Sequence, residues 1–139
     1  MNATANETLI RDYFATVTGG DTGKSLPDFF AEDVTWHVPQ SNPMIKPNPR
    51  QGFAAVMDLL TSGVEIYQPG SMQLELGHLV ADDSRVAAQF TLNATLANGN
   101  NYRNQYMFLF SISAGKIDGV WEYLDTLYQQ REGTFDGFV

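Results

Sequence analysis

The chain has no cysteine. That absence removes disulfides, thiolate metal sites and cysteine nucleophiles together. Positive charge is also scarce: Lys and Arg number 8 against 16 Asp and Glu, for a net charge of -8 over 139 residues. No run of Lys and Arg occurs anywhere, which argues against nucleic acid or an anionic membrane as a partner. There are only 2 histidines, and no carboxylate shares a short ligand spacing with either, so no metal site is expected. No apolar stretch approaches the roughly 20 residues that span a bilayer. The stretch Met1-Asn2-Ala3-Thr4-Ala5-Asn6-Glu7 lacks the basic and apolar regions of a secretion signal. These absences predict a soluble protein of the cytoplasm, with its acidic surface serving solubility.

Hydrophobic residues make up 43% and charged residues 17%, a globular composition at a length suited to one core. We therefore expect a single domain over 1–139. Thr4 and Glu7 have the spacing of a capping box. Behind them Leu9, Ile10, Tyr13, Phe14 and Val17 form one helical stripe that ends at Gly19-Gly20. Ser25 and Asp28 repeat the capping pattern ahead of a short second helix through Phe29-Phe30. A strand over 33–38 stops at Pro39, and the prolines at 39, 43, 47 and 49 make 39–50 a loop. A third helix is expected over 51–62, with Phe53, Val56, Met57 and Leu60 on one side. Long strands follow, divided at Asp82-Asp83, Asn98-Gly99 and Ala114-Gly115. Residues 129–139 read as a polar tail. Helices on one side of an antiparallel meander make an α+β domain.

The last strand holds the chemical anomaly. Val120, Glu122 and Leu124 share one face by the two-residue period, with Ile117, Trp121 and Tyr123 on odd positions. Both faces are largely apolar, so a carboxylate sits where burial is expected. An enclosed carboxylate must be paired, hydrogen-bonded or protonated. Glu122 is thus either a pocket acid/base or a structural carboxylate bonded to Tyr13, Tyr106 or Gln89, or paired with Arg103 or Arg85. His78 shares a face with Met72, Leu74, Leu76 and Val80 and reads as a core or interface histidine.

Several segments together resemble the nuclear-transport-factor-2-like superfamily, and within it the SnoaL-like branch. They are Ile10-Arg11-Asp12-Tyr13-Phe14, Gly20-Asp21, Phe30-Ala31-Glu32-Asp33-Val34, Trp36-His37-Val38-Pro39 and Gly52, then Gly99…Tyr102-x-Asn104-x-Tyr106 and Gly115-Lys116-Ile117…Glu122-Tyr123-Leu124-Asp125-Thr126. The resemblance runs from Leu9 to about Thr126. It implies a cone-shaped α+β barrel: three N-terminal helices on a curved, mostly antiparallel sheet around a pocket. It also implies a homodimer through the outer sheet face and no cofactor. The superfamily includes ketosteroid isomerase, limonene-epoxide hydrolase, polyketide cyclases and scytalone dehydratase.

Site residues carry over one at a time. Tyr13 matches the oxyanion-donating tyrosine of the isomerase, but its aspartate base falls at Val38 and its second oxyanion acid near Tyr106. Glu122 matches the water-activating carboxylate of the epoxide hydrolase, whose arginine and aspartate fall at Gln89 and Thr91. The candidate catalytic residues are therefore Glu122, Tyr13, Tyr106 and His37. Alternation turns His37 away from the pocket unless a bulge before Pro39 re-aims it. The expected lining is Trp36, Val38, Phe53, Met57, Leu60, Gln89, Thr91, Asn104, Phe108 and Leu124. The expected ligand is a small hydrophobic molecule with a carbonyl or hydroxyl. Isomerisation, cyclisation, water addition and binding without turnover all remain open, as does a dimerisation module whose cavity is only packed core.

Overall fold

A computed structural model of the chain describes residues 2–137. Helix α1 spans Ala3–Val17 and carries the stripe of Leu9, Ile10, Tyr13 and Phe14 into the core. Its cap is Asn2, whose side chain accepts from the Ala5 amide, so the Thr4–Glu7 capping box does not form. The Ser25–Asp28 box does form, and it opens a single 3₁₀ turn over Leu26–Phe29, with Pro27 in its first positions. Strand β1 (Phe30–His37) begins at once, three residues earlier than the pattern predicted. The proline-rich loop follows, pinned by Asn48. Its Oδ1 accepts from the Val38 amide at 3.1 Å and its Nδ2 donates to the Val38 carbonyl at 2.9 Å. Strand β2 (Arg50–Gln51) precedes helix α2 (Phe53–Ser62), and a second 3₁₀ turn covers Gly63–Ile66.

The remaining strands are β3 (Gln73–Ala81), β4 (Arg85–Thr95), β5 (Asn101–Ser113) and β6 (Lys116–Leu124). The sheet order is β2-β1-β6-β5-β4-β3. All neighbours are antiparallel except β1 and β6, which run parallel. The curved sheet is not closed, and the helices cover its concave face. Residues 129–137 are not a plain tail, and 138–139 lie outside the described residues. Asp125 accepts from the Tyr128 amide and starts helix α3 (Thr126–Arg131), after which Thr134 and Phe135 are buried. The third helix of the fold is thus C-terminal, and the second predicted helix is only a turn.

The core follows the strand alternation. Val86, Ala88, Phe90 and Leu92 of β4 and Tyr102, Tyr106, Phe108 and Phe110 of β5 are all buried on the concave side. Two of the sheet's three register irregularities shift the pattern. One between Ser111 and Ile112 lets both Ile117 and Val120 of β6 face the core. The other, between Leu76 and Leu79, swaps the faces of β3, so His78 and Val80 are exposed and no core histidine exists at that position.

Phe110 is fully buried at the centre of this packing, with its ring 5.8 Å from Tyr13 and 5.8 Å from Phe14. Phe110→Ala is expected to lower unfolding free energy in urea by about 3–5 kcal/mol. Gln89→Ala, on the exposed convex face, is expected to change it by less than about 0.5 kcal/mol.

Candidate functional site

A cavity of about 180 Å³ opens between the concave face of the sheet and the helices. Its walls come from Tyr13 and Phe14 of α1, Trp36 and Val38 of β1, Leu59 and Leu60 of α2, and Phe90, Tyr106, Phe108 and Glu122 of the sheet. Met44 and Ile45 of the proline-rich loop and Gln129 and Phe135 of the C-terminal segment also contribute to it. Among the described residues, the lining contains no Lys, Arg or His.

Glu122 reaches this wall through register. Strand β6 sets it opposite Phe108, and the parallel pairing sets Trp36 opposite Val120. Trp36, Val120 and Glu122 therefore share the concave face. The Trp36 indole N–H donates to Glu122 Oε1 at 2.7 Å. No arginine reaches the carboxylate: Arg103 bonds Glu75 and Asn93 on the convex face, and Arg85 pairs with Asp82. Glu122 keeps some accessible surface because it borders the cavity, but protein encloses it on every other side. Burial raises its pKa from 4.5 to about 7, partly offset by the Trp36 bond.

Three phenols stand around the cavity. Tyr13, Tyr67 and Tyr106 line it, and burial raises the pKa of each, so all three keep their protons at neutral pH. The Tyr106 hydroxyl meets that of Tyr102 at 2.7 Å. Asn104 stands behind this pair, donating to the Tyr102 oxygen at 2.8 Å and to the Asp125 carbonyl at 3.0 Å. It is buried but does not line the cavity.

Several expected site residues lie elsewhere. His37 is on the convex face, stacked on Trp121 with ring centroids 4.6 Å apart and bonded to Thr35 Oγ1 at 3.1 Å. No bulge re-aims it, and partial burial lowers its pKa. Gln89 and Thr91 pair with Met107 and Gln105 across β4 and β5 and point to the convex face. The two-residue period that buries Phe90 turns them outward, so no relay of any kind faces Glu122 from β4. Phe53 and Met57 lie on the flank of α2 and Leu124 at the edge of the core, all outside the cavity wall. Tyr67 and Phe135 were not foreseen. Phe14 and Val17, which also line the cavity, were readable from the stripe that contains Tyr13. Among the described residues, no three His, Asp or Glu side chains gather in a way that would hold a metal ion.

The SnoaL-like domain model matches residues 10–120. The chain belongs to the SnoaL-like domain family. No curated protein matches it. Among solved structures, Bal32a from a soil-derived mobile gene cassette is 21% identical, with 98% of this chain and 97% of that chain covered and a TM-score of 0.77. A putative SnoaL-like polyketide cyclase from Jannaschia sp. CCS1 is 12% identical, covering 95% and 93% at a TM-score of 0.77. TerC, co-crystallised with polyporic acid, is 18% identical, covering 91% and 96% at the same score. These likenesses establish the fold of this SnoaL-like protein. No helix among its described residues is long and apolar enough to cross a membrane.

The raised pKa of Glu122 makes a signed prediction. Between pH 4.5 and about 7 the folded protein holds a proton that the unfolded chain has released. The contribution of this group is complete below pH 4.5, is lost as pH rises to about 7, and is flat above that. The loss amounts to at most about 3 kcal/mol at 1.36 kcal/mol per pKa unit. Urea titrations of wild type and Glu122→Gln at pH 4.5, 6 and 8 should show the variant gaining relative stability across this window. A constant difference between the two proteins would contradict the raised pKa.

Proposed function

We propose that this SnoaL-like protein binds a small, uncharged, largely apolar molecule bearing a carbonyl or hydroxyl, and that Glu122 exchanges a proton with it. The observation that carries the reading is a single carboxyl in an apolar cavity wall, with one hydrogen-bond donor, no cation beside it and a pKa near 7. A group that titrates at the working pH serves as both acid and base. Tyr13 and Tyr106 supply phenol protons on the same cavity, of the kind that stabilises an oxygen gaining charge. An engineered apolar cavity of about 150 Å³ holds benzene, so 180 Å³ suits a single-ring ligand. With no cationic lining, ligands carrying a carboxylate are disfavoured.

The reaction class that fits is proton transfer at carbon beside a carbonyl, the step common to isomerisation and aldol-type cyclisation. That one neighbouring structure bears the words polyketide cyclase accords with this class. Cyclohexanone in D₂O tests it without knowledge of the natural substrate. Wild type should accelerate exchange of the α-protons seen by NMR, and Glu122→Gln should cut that rate by about 10²–10⁴-fold. Exchange that persists in the variant removes Glu122 from the chemistry. A raised melting temperature with the ketone but no exchange favours the second reading, a binding protein without turnover.

The reading includes a homodimer in the cytoplasm. On the convex face Tyr123 is 59% exposed and Met107 42% exposed, and they pair across β5 and β6 beside Trp121. Sedimentation should give twice the 15.4 kDa chain mass for wild type and the single mass for Tyr123→Glu. A wild-type monomer would reject this part of the reading.

A further inference from the structure

The hydroxyl chain beside the cavity has a direction, and one amide sets it. Asn104 Oδ1 accepts from the Gln105 amide at 2.8 Å, while its Nδ2 faces the Asp125 carbonyl at 3.0 Å. An amide N–H needs an acceptor and a carbonyl needs a donor, so the Asn104 side chain has only one admissible orientation. Its second Nδ2 proton is then given to the Tyr102 oxygen at 2.8 Å. Tyr102 is almost completely buried and does not line the cavity. Either hydroxyl could donate across the 2.7 Å contact between Tyr102 and Tyr106, but among the described residues the buried Tyr102 proton has no other acceptor, so it goes to Tyr106. Tyr106 accepts there, which frees its own proton. Tyr106 lines the cavity.

The geometry points to Asn104 and Tyr102 as positioning residues that turn the Tyr106 hydroxyl into a hydrogen-bond donor for the ligand's oxygen. The inference rests on the cavity being a ligand site, as proposed above. Tyr67 lines the same cavity with its ring 6.1 Å from that of Tyr102. Without the amide, the two β5 hydroxyls would be free to reverse, and Tyr106 would present only lone pairs. A carbonyl needs a donor, so the orientation of Asn104 determines whether the cavity prefers ketones to hydrocarbons of the same shape.

The probes are cyclohexanone and its hydrocarbon isostere methylenecyclohexane, with affinities measured by ligand-observed NMR. Wild type should prefer the ketone roughly tenfold, and Tyr106→Phe should bind both about equally. Asn104→Asp retains the Tyr106 hydroxyl but offers Tyr102 an acceptor, whether the new carboxyl is ionised or protonated onto the Asp125 carbonyl. It reverses the chain, and the preference should fall to near unity. Tyr102→Phe leaves the Tyr106 proton free, and the preference should survive, which a merely structural role for the cluster would not produce. If Asn104→Asp does not fold, Asn104→Ala removes the director alone, and the preference should drop to about two- to threefold. Preference kept in the Asn104 variants but lost in Tyr106→Phe overturns the positioning role and leaves the ligand site standing. If neither probe binds wild type, the ligand site fails, and the direction is read without ligand from the infrared phenol C–O band of ring-labelled tyrosine. That band should shift toward the donor position between wild type and Asn104→Asp, and an unmoved band overturns the assignment.

Discussion

A carboxyl set into an apolar wall can exist only with a donor or a proton, and Glu122 has both within reach. The Trp36 indole N–H supplies the donor at 2.7 Å. That bond depends on the parallel seam between β1 and β6, which places Trp36 beside Val120 and one step from Glu122. The seam in turn depends on the short 3₁₀ turn and on β1 starting at Phe30, which brings the strand back along the edge of the meander. Trp36 is itself held by Phe30 and Phe108, whose rings lie 6.2 Å and 5.9 Å away. One neutral donor is too little to hold the carboxylate fully ionised, and burial wins over the hydrogen bond. A second donor or an arginine at this position would hold Glu122 as a plain carboxylate anion.

The cavity persists because the aromatic packing is concentrated at one end. Tyr13, Phe14, Phe29, Phe30 and Phe110 fill the space where α1 meets the sheet, with centroids 5.3–5.8 Å apart from Tyr13 outward. Large rings in T-shaped contact interlock rigidly. The opposite end is closed by lighter and more varied pieces: the loop carrying Met44 and Ile45, Gly63 with no side chain, and Phe135 from beyond α3. The cavity lies between these two ends.

Much of this was legible from spacing alone. The two-residue period in β4 and β5 assigns each buried residue to the correct face, and the stripe on α1 identifies the helix side that meets the sheet. The failures have local causes. His78 and Ile117 changed faces because register irregularities in β3 and β6 leave no mark in a periodic pattern. Gln89 and Thr91 were drawn into the pocket by the positions of a charged pair in a relative, although their own alternation placed them opposite Phe90. Helix α3 was missed because six residues give too little periodicity, though Asp125 three residues before Tyr128 is a capping spacing that was available. Tyr67 could not be found from sequence, since it enters the wall from an irregular segment whose ties to the end of β4 are an isolated pairing with Leu96 and hydrogen bonds from Gln68 and Ser71 to Thr95.

Among the described residues no cation lines the wall, and this shapes the proposed chemistry more than any residue that is present. A base that starts as a carboxylate and removes a proton from a neutral ligand transfers its negative charge to the ligand's oxygen. Charge moves within the cavity, and the total is unchanged. The desolvation borne by the carboxylate before the step is borne by the oxyanion after it, so a fixed positive group would bias the balance toward whichever anion it touched. Neutral donors at both ends keep the two states close: Trp36 on the carboxylate, and phenols on the oxygen. This is also why the direction of the hydroxyl chain matters. In the proposed chemistry, with no arginine or lysine to hold the developing oxyanion, a phenol proton must already point at it, and the amide behind Tyr102 is proposed to orient that proton before any ligand arrives.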